Sequence, residues 1–254
     1  MAIANYSKFE HYKSLIQSLP TPLTEDSMRS EAFLLETDPK KKLEIYYAPF
    51  EYINEQAKVV IVGITPGLHQ MKMSFSTVLD AKNQLNNDED ILHQVKNNSS
   101  FEGPMRKNLV QMLDELGLNE YLGLDSTIEL FDEASHLVQT TSVIPYPVFR
   151  DGKNYSGSAP KILKTEVLKR YATEYFAKEM SNFDQALIIP LGVNVSEVLS
   201  YLADNHILNR DCLLTGFPHP SGANGKRKEH FEMNKEQMKE MIRAHFQKEA
   251  AIKF

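Results

Sequence analysis

The sequence predicts an α/β fold, a three-layer sandwich in which a mostly parallel central sheet is flanked by helices. Short apolar runs bounded by glycine or proline alternate with segments of helical periodicity. Those runs are short and apolar or β-branched, as expected for strands covered on both faces. The chain has 254 residues, of which 42% are hydrophobic and 24% charged, enough to bury one large core.

Taken in order, Asn5 to Leu19 reads as a helix punctuated by Pro20 and Pro22. Residues 1–56 are expected as an N-terminal helical extension packed on a single α/β domain spanning 1–254. Ala57 to Gly63 is the first buried strand. Met105 to Leu116 is a helix with Leu109, Met112, Leu113 and Leu116 on one face. His136 to Val143 is a second strand, followed by a helix from Ala159 to Met180. Gln185 to Leu191 and Asp211 to Gly216 are strands on either side of a helix from Val195 to Ala203. A charged helix, Lys228 to Phe246, follows.

In open sheets of this kind ligands bind beyond the carboxyl ends of the strands. Three unusual loops leave predicted strands there: Gly63 to Gly67, Pro145 to Tyr155 and Gly216 to Gly225. Topology alone therefore predicts one site built from loops far apart in sequence. In Gly63-Ile64-Thr65-Pro66-Gly67 the glycines permit close backbone approach and Pro66 stiffens the turn, whether to meet a ligand or to close a tight turn. In His219-Pro220-Ser221-Gly222 an imidazole is bracketed by Pro218 and Pro220. Held in this way it can donate a hydrogen bond to developing negative charge. Ser221 and the amides after it can receive a phosphate. The alternative for this loop is a plain surface turn.

Composition narrows the function. The net charge of −6 argues against a general polyanion binder, although Lys226-Arg227-Lys228 is a compact basic cluster, and Lys161, Lys164, Lys169 and Arg170 gather upstream. Either group also fits a solvated helix end. No stretch approaches the roughly 20 apolar residues that span a bilayer. The start lacks the apolar core of a secretion signal. Cys212 is the sole cysteine, read as buried filler in preference to a reactive thiol, and it precludes an intramolecular disulfide. The expected setting is cytoplasmic or nuclear, not secreted, with no membrane partner and a monomeric state. The chain lacks a P-loop, GxGxxG, GxSxG, HExxH and zinc-type Cys/His spacing, so neither metal nor organic cofactor is expected.

At its two loops the chain resembles the uracil-DNA glycosylase superfamily, especially the single-strand-selective (SMUG-like) and mismatch-specific branches. Gly63-Ile64-Thr65-Pro66-Gly67 is similar to the family's first motif, often GINPG or GMNPG, and His219-Pro220-Ser221-Gly222 to its second. Leu137-Val138-Gln139-Thr140-Thr141-Ser142 with the loop after it resembles the base-reading strand. Leu191-Gly192 resembles the LG at a strand end in these folds. The likeness runs from about Val59 to Phe246.

The resemblance implies hydrolysis of an N-glycosidic bond in double- or single-stranded DNA, on a base flipped out of the stack. It assigns His219 to the leaving base and Thr65 to the attacking water. Gly63, Ile64, Pro66, Gly67, Gln139 and Thr140 would line the pocket. Phe75 would stack on the base, or else fill the core. Ser221, Gly222, Ala223 and Asn224 would press on the strand, and Lys226 and Arg227 would meet phosphates. The pattern departs in two places. Thr65 stands where these branches carry a water-positioning asparagine, and Thr140 where a base-reading asparagine is expected. Threonine is a poor general base and lacks an amide's paired donor and acceptor. A modified or damaged base is therefore expected in place of strict uracil. Two rivals remain: a non-catalytic nucleic-acid-binding member of the same fold, suggested by Thr65 and the acidic charge, and a hydrolase of free nucleosides or nucleotides.

Overall fold

The computed structural model describes residues 2–83 and 87–252. Its backbone contacts divide the chain into two compact units. One contains Met1–Ile53, Ile64–Ser100 and Thr141–Glu179; the other contains Asn54–Gly63, Phe101–Thr140 and Met180–Phe254. In chain order the strands are β1 (Leu34–Asp38), β2 (Leu43–Tyr46), β3 (Val59–Gly63), β4 (Val138–Ser142), β5 (Val148–Arg150), β6 (Lys153–Asn154) and β7 (Leu187–Pro190). They form two sheets, ordered β1-β2-β5-β6 and β4-β3-β7. The class is α/β, with the strands shared between an antiparallel sheet and a smaller one with parallel pairing.

The first unit holds the antiparallel sheet. Asp38↔Leu43 and Leu34↔Tyr46 pair β1 with β2, and Ile45↔Val148 pairs β2 with β5. The tight connection from β5 to β6 is Asp151-Gly152, with φ of 51° and 75°. Positive φ at both central residues is the type I′ hairpin turn that an Asp-Gly pair favours. Two helices accompany the sheet. In Leu68–Asp80 the buried Met71, Ser74, Phe75 and Val78 recur at helical spacing. Asp88–Ser99 is capped by Asn87, whose side chain accepts from the Asp90 amide at 2.8 Å. Asp88, Glu89 and Asp90 occupy its first turn, where the helix dipole favours negative charge.

The second unit holds the parallel ladder. Val59↔Leu187 and Val62↔Pro190 pair β3 with β7, and Val59 to Val62 are wholly buried. Ile61, Ile189, Leu109, Leu113, Leu214 and Ile242 share one core, contributed by the ladder and by the Pro104–Glu115 and Arg227–Ile252 helices. Val193–Asp204 follows β7 directly.

Four expectations are corrected. The 1–56 segment is not wholly helical: beside the Phe9–Gln17 helix it carries β1 and β2, joined through a turn at Asp38 to Lys42. The Asp211–Gly216 strand shrinks to one parallel bridge, Ile188↔Leu213, because a 3-10 turn over Arg210–Cys212 precedes it and Gly216 turns away at φ 92°. The Ala159–Met180 helix is broken into a 3-10 turn, Glu166–Arg170, a π-helical turn over Tyr171–Phe176 and Ala177–Met180. The acidic run Asn87 to Asp90, which reads in sequence as a solvated loop, is a helix start. Among the described residues no helix is long and apolar enough to cross a membrane.

Candidate functional site

In the second unit the chain leaves β7 through Leu191 into Gly192, which has φ 91° and ψ 171° and caps the next helix. That conformation is open to glycine almost alone. Its amide donates to Phe217 O at 3.1 Å, and a Cβ placed on it would lie 2.9 Å from His219 Cβ. Gly192 is therefore the floor on which His219 rests, and the LG pair at this strand end has a steric explanation. Leu191 in turn donates to Val62 O at 2.9 Å, which fixes this floor against the carboxyl end of β3, where Gly63 begins the first loop.

The His219 ring is oriented by its own loop. The Ser221 amide donates to Nδ1 at 3.2 Å. Nδ1 is thus an acceptor, and in the neutral ring the proton sits on Nε2. Burial pushes the imidazole below its ordinary pKa and so favours that neutral form. The outcome is a half-buried, neutral, fixed N–H donor.

Three side chains brace the loop from behind. Asn224 Nδ2 donates to His219 O at 3.1 Å, Asn108 Nδ2 to Pro220 O at 2.9 Å, and the Arg227 guanidinium to Ser221 O at 2.8 Å. Ser221 Oγ accepts from the Ala223 amide at 3.2 Å, and the Asn224 amide donates to Ser221 O at 3.1 Å. Ser221, Ala223, Asn224 and Arg227 thus shape the loop. Around Gly222 and Gly225 an added Cβ meets nothing within 4 Å, so the loop tip is open. Lys226 and Lys228 are exposed and make no ion pair with the described residues. Asn108 was not legible as a site residue; its reach to Pro220 spans 112 positions.

In the first unit Thr65 donates its hydroxyl proton to Tyr146 O at 2.7 Å and accepts from the Val148 amide at 3.1 Å. The side chain stitches the Ile64-Thr65-Pro66-Gly67 loop to the start of β5, which leaves it one lone pair at most for a water. Ile64 O accepts from the Ile144 amide at 3.0 Å and Pro66 is buried. Gly67 donates to Gln70 Oε1 at 3.1 Å and Leu68 to Asn154 Oδ1 at 2.9 Å. A Cβ on Gly67 would lie 3.0 Å from Gln70 Oε1, so a larger residue here would require the Gln70 side chain to shift.

Behind that loop lies an unexpected buried carboxylate. Glu51, 1% exposed, accepts from Tyr146 Oη at 2.6 Å, Ser7 Oγ at 2.7 Å, the Lys8 amide at 3.0 Å and Tyr47 Oη at 3.2 Å. Burial raises its pKa against the pull of those donors. Tyr146 is therefore held at both ends, by Glu51 on its hydroxyl and Thr65 on its carbonyl. A single acidic residue in Phe50-Glu51-Tyr52 gives no sign of this in sequence.

Other expected pocket residues turn inward. Phe75 is fully buried, its ring 5.0 Å from that of Phe33, and belongs to the core. Gln139 and Thr140 are buried in β4, with Gln139 Oε1 accepting from the Asn54 amide at 3.0 Å. Among the described residues no group of three His, Cys, Asp or Glu side chains is placed to hold a metal ion. The arrangement can deliver a neutral hydrogen bond from His219 to a charge forming at the end of the parallel ladder, beside an open, cation-flanked loop.

The family model for the Uracil DNA glycosylase superfamily matches residues 50–246. A protein of Bacillus subtilis (strain 168), named Uncharacterized protein YoxB, is 40% identical over 244 residues, which cover 95% of this chain and 94% of that one. No solved structure matches the chain.

Proposed function

The chain belongs to the uracil DNA glycosylase superfamily, and from that premise we propose that it hydrolyses the N-glycosidic bond of a modified or damaged base flipped out of DNA. The observation that carries the reading is His219: half-buried, neutral, and locked by the Ser221 amide with its proton on Nε2. As the C1′–N bond breaks, its electron pair leaves on the base, and His219 donates a hydrogen bond to that developing anion. Water oxygen bonds C1′ and releases its proton to the base or to solvent. Thr65, with one free lone pair, orients a water and does not deprotonate it. The leaving group must then be good in itself, which favours a modified or damaged base over plain uracil. The parallel ladder is proposed as the central layer of the three-layer sandwich, with the target handled at the carboxyl ends of β3 and β7. Lys226 and Lys228 supply the phosphate contacts.

A second reading, a DNA-binding member without catalysis, is favoured by Thr65 at the third position of the first motif. One experiment separates the two: a screen of oligonucleotides bearing different modified bases, read by abasic-site formation. Excision of at least one base supports the enzyme. Binding without any abasic product supports the second reading.

A further inference from the structure

We infer that a groove beside the His219 loop binds the nucleobase next to the target, so that the protein reads its flanking sequence. This inference rests on the glycosylase reading. The groove, about 250 Å³, lies between the Pro104–Glu115 helix and the start of the Arg227–Ile252 helix. That is just below the roughly 300–1,000 Å³ of ordinary small-molecule sites, a size for one ring system and not an extended ligand.

Its chemistry matches a nucleotide. The nearly buried Met112 and Phe231 supply an apolar floor for ring faces. Gln111, exposed at the rim, offers an amide donor and acceptor to a base edge. Asn108 uses Nδ2 on Pro220 O, which leaves its amide oxygen as an acceptor. Lys228 contributes a cation for phosphate. The carboxylates that also line the groove are already engaged by one lysine: Lys235 pairs with Glu115 and lies 3.8 Å from Glu232. Arg227, Lys228 and Lys235 outnumber Glu115 and Glu232 by one charge, so the groove is weakly attractive to a strand.

Its position supplies the rest of the argument. Asn108 and Arg227 line the groove and also hold the carbonyls of Pro220 and Ser221, so its occupant lies one side chain from the loop that carries His219. A strand presenting a base to His219 passes this groove with the neighbouring nucleotide.

The test uses the full chain and duplexes with a tetrahydrofuran abasic analogue at the target position. In two further duplexes one flanking nucleotide, on the 5′ or the 3′ side, is also replaced by tetrahydrofuran. Affinity is read by fluorescence anisotropy. Loss of the base on one side is expected to weaken wild-type binding about tenfold. Gln111→Ala, an exposed position that leaves the fold intact, is expected to bind the parent duplex about as weakly as wild type binds the truncated one, and to ignore the flanking base. Equal affinity of the wild type for all three duplexes overturns the inference and leaves the glycosylase reading standing. So does a flank effect that persists in Gln111→Ala. No binding to any duplex overturns both.

Discussion

Replacing Gly192 with alanine should disable the site without touching a chemical group. Two costs follow from the geometry. With φ 91° and ψ 171° the backbone lies in a region that an L side chain occupies at about 1–3 kcal/mol. The new Cβ would also lie 2.9 Å from His219 Cβ and 3.2 Å from its amide nitrogen, where ordinary contact begins at 3.4 Å. His219 must yield by about half an ångström. Since a misplacement of about 1 Å at a reacting centre can cost roughly 10²-fold, the expected loss in excision rate is about tenfold. Thermal unfolding should shift downward by about 2–4 °C per kcal/mol. Single-turnover excision and circular-dichroism melting, run on the same preparation, read both effects. An alanine variant with wild-type melting and wild-type rate would refute the packing of His219 on Gly192.

Three further outcomes follow. Burial lowers the His219 pKa and the donor must be neutral, so the acid limb of the rate profile should lie below the ordinary histidine value of 6.5; a limb at or above that value would contradict a buried, neutral ring. Lys226→Ala and Lys228→Ala should each lower the log–log salt slope of DNA binding by about one unit, whereas Arg227→Ala, which loses the brace on Ser221 O, should lower the rate instead; unchanged slopes would turn the two lysines away from the strand. Glu51 has a folded pKa raised above 4.5, so its proton is bound more tightly when folded, and that contribution to stability is lost as pH rises through the raised value. Glu51→Gln should melt lower than wild type because four donors lose their carboxylate, but the gap should narrow as pH climbs above 4.5; a gap that widens would show that Glu51 is not proton-favouring.

Much of the second unit was legible because its signals are local. Val59 to Gly63 and Leu187 to Pro190 are unbroken apolar runs ended by turn formers, and Leu109, Met112 and Leu113 mark one helical face. The first unit is written differently. Its strands β5 and β6 have three residues and two, too short for a pattern, and only Asp151-Gly152 announces their hairpin. The Leu68–Asp80 helix begins where a proline and a glycine suggest a loop, because Gln70 and a residue 86 positions away, Asn154, cap it. The loop carrying His219 was located by its prolines, but the direction of the ring depends on the Ser221 amide and the floor on Gly192. Phe75 shows the converse: its residue type suits base stacking as well as the core, and its helical spacing with Met71 and Val78 and its full burial put it in the core. Thr65 was visible as a departure from a motif, yet its two bonds to Tyr146 and Val148 depend on tertiary pairing.

The central claim is that His219 stabilises the departing base. It is tested most directly by single-turnover excision on the best-cleaved oligonucleotide of the modified-base screen, with wild type and His219→Ala at saturating enzyme and DNA affinity measured in parallel. Loss of one donor to a developing anion costs roughly 10²–10³ in rate. The account predicts a fall of that size with affinity changed less than threefold. A His219→Ala variant that excises the base at the wild-type rate would contradict it.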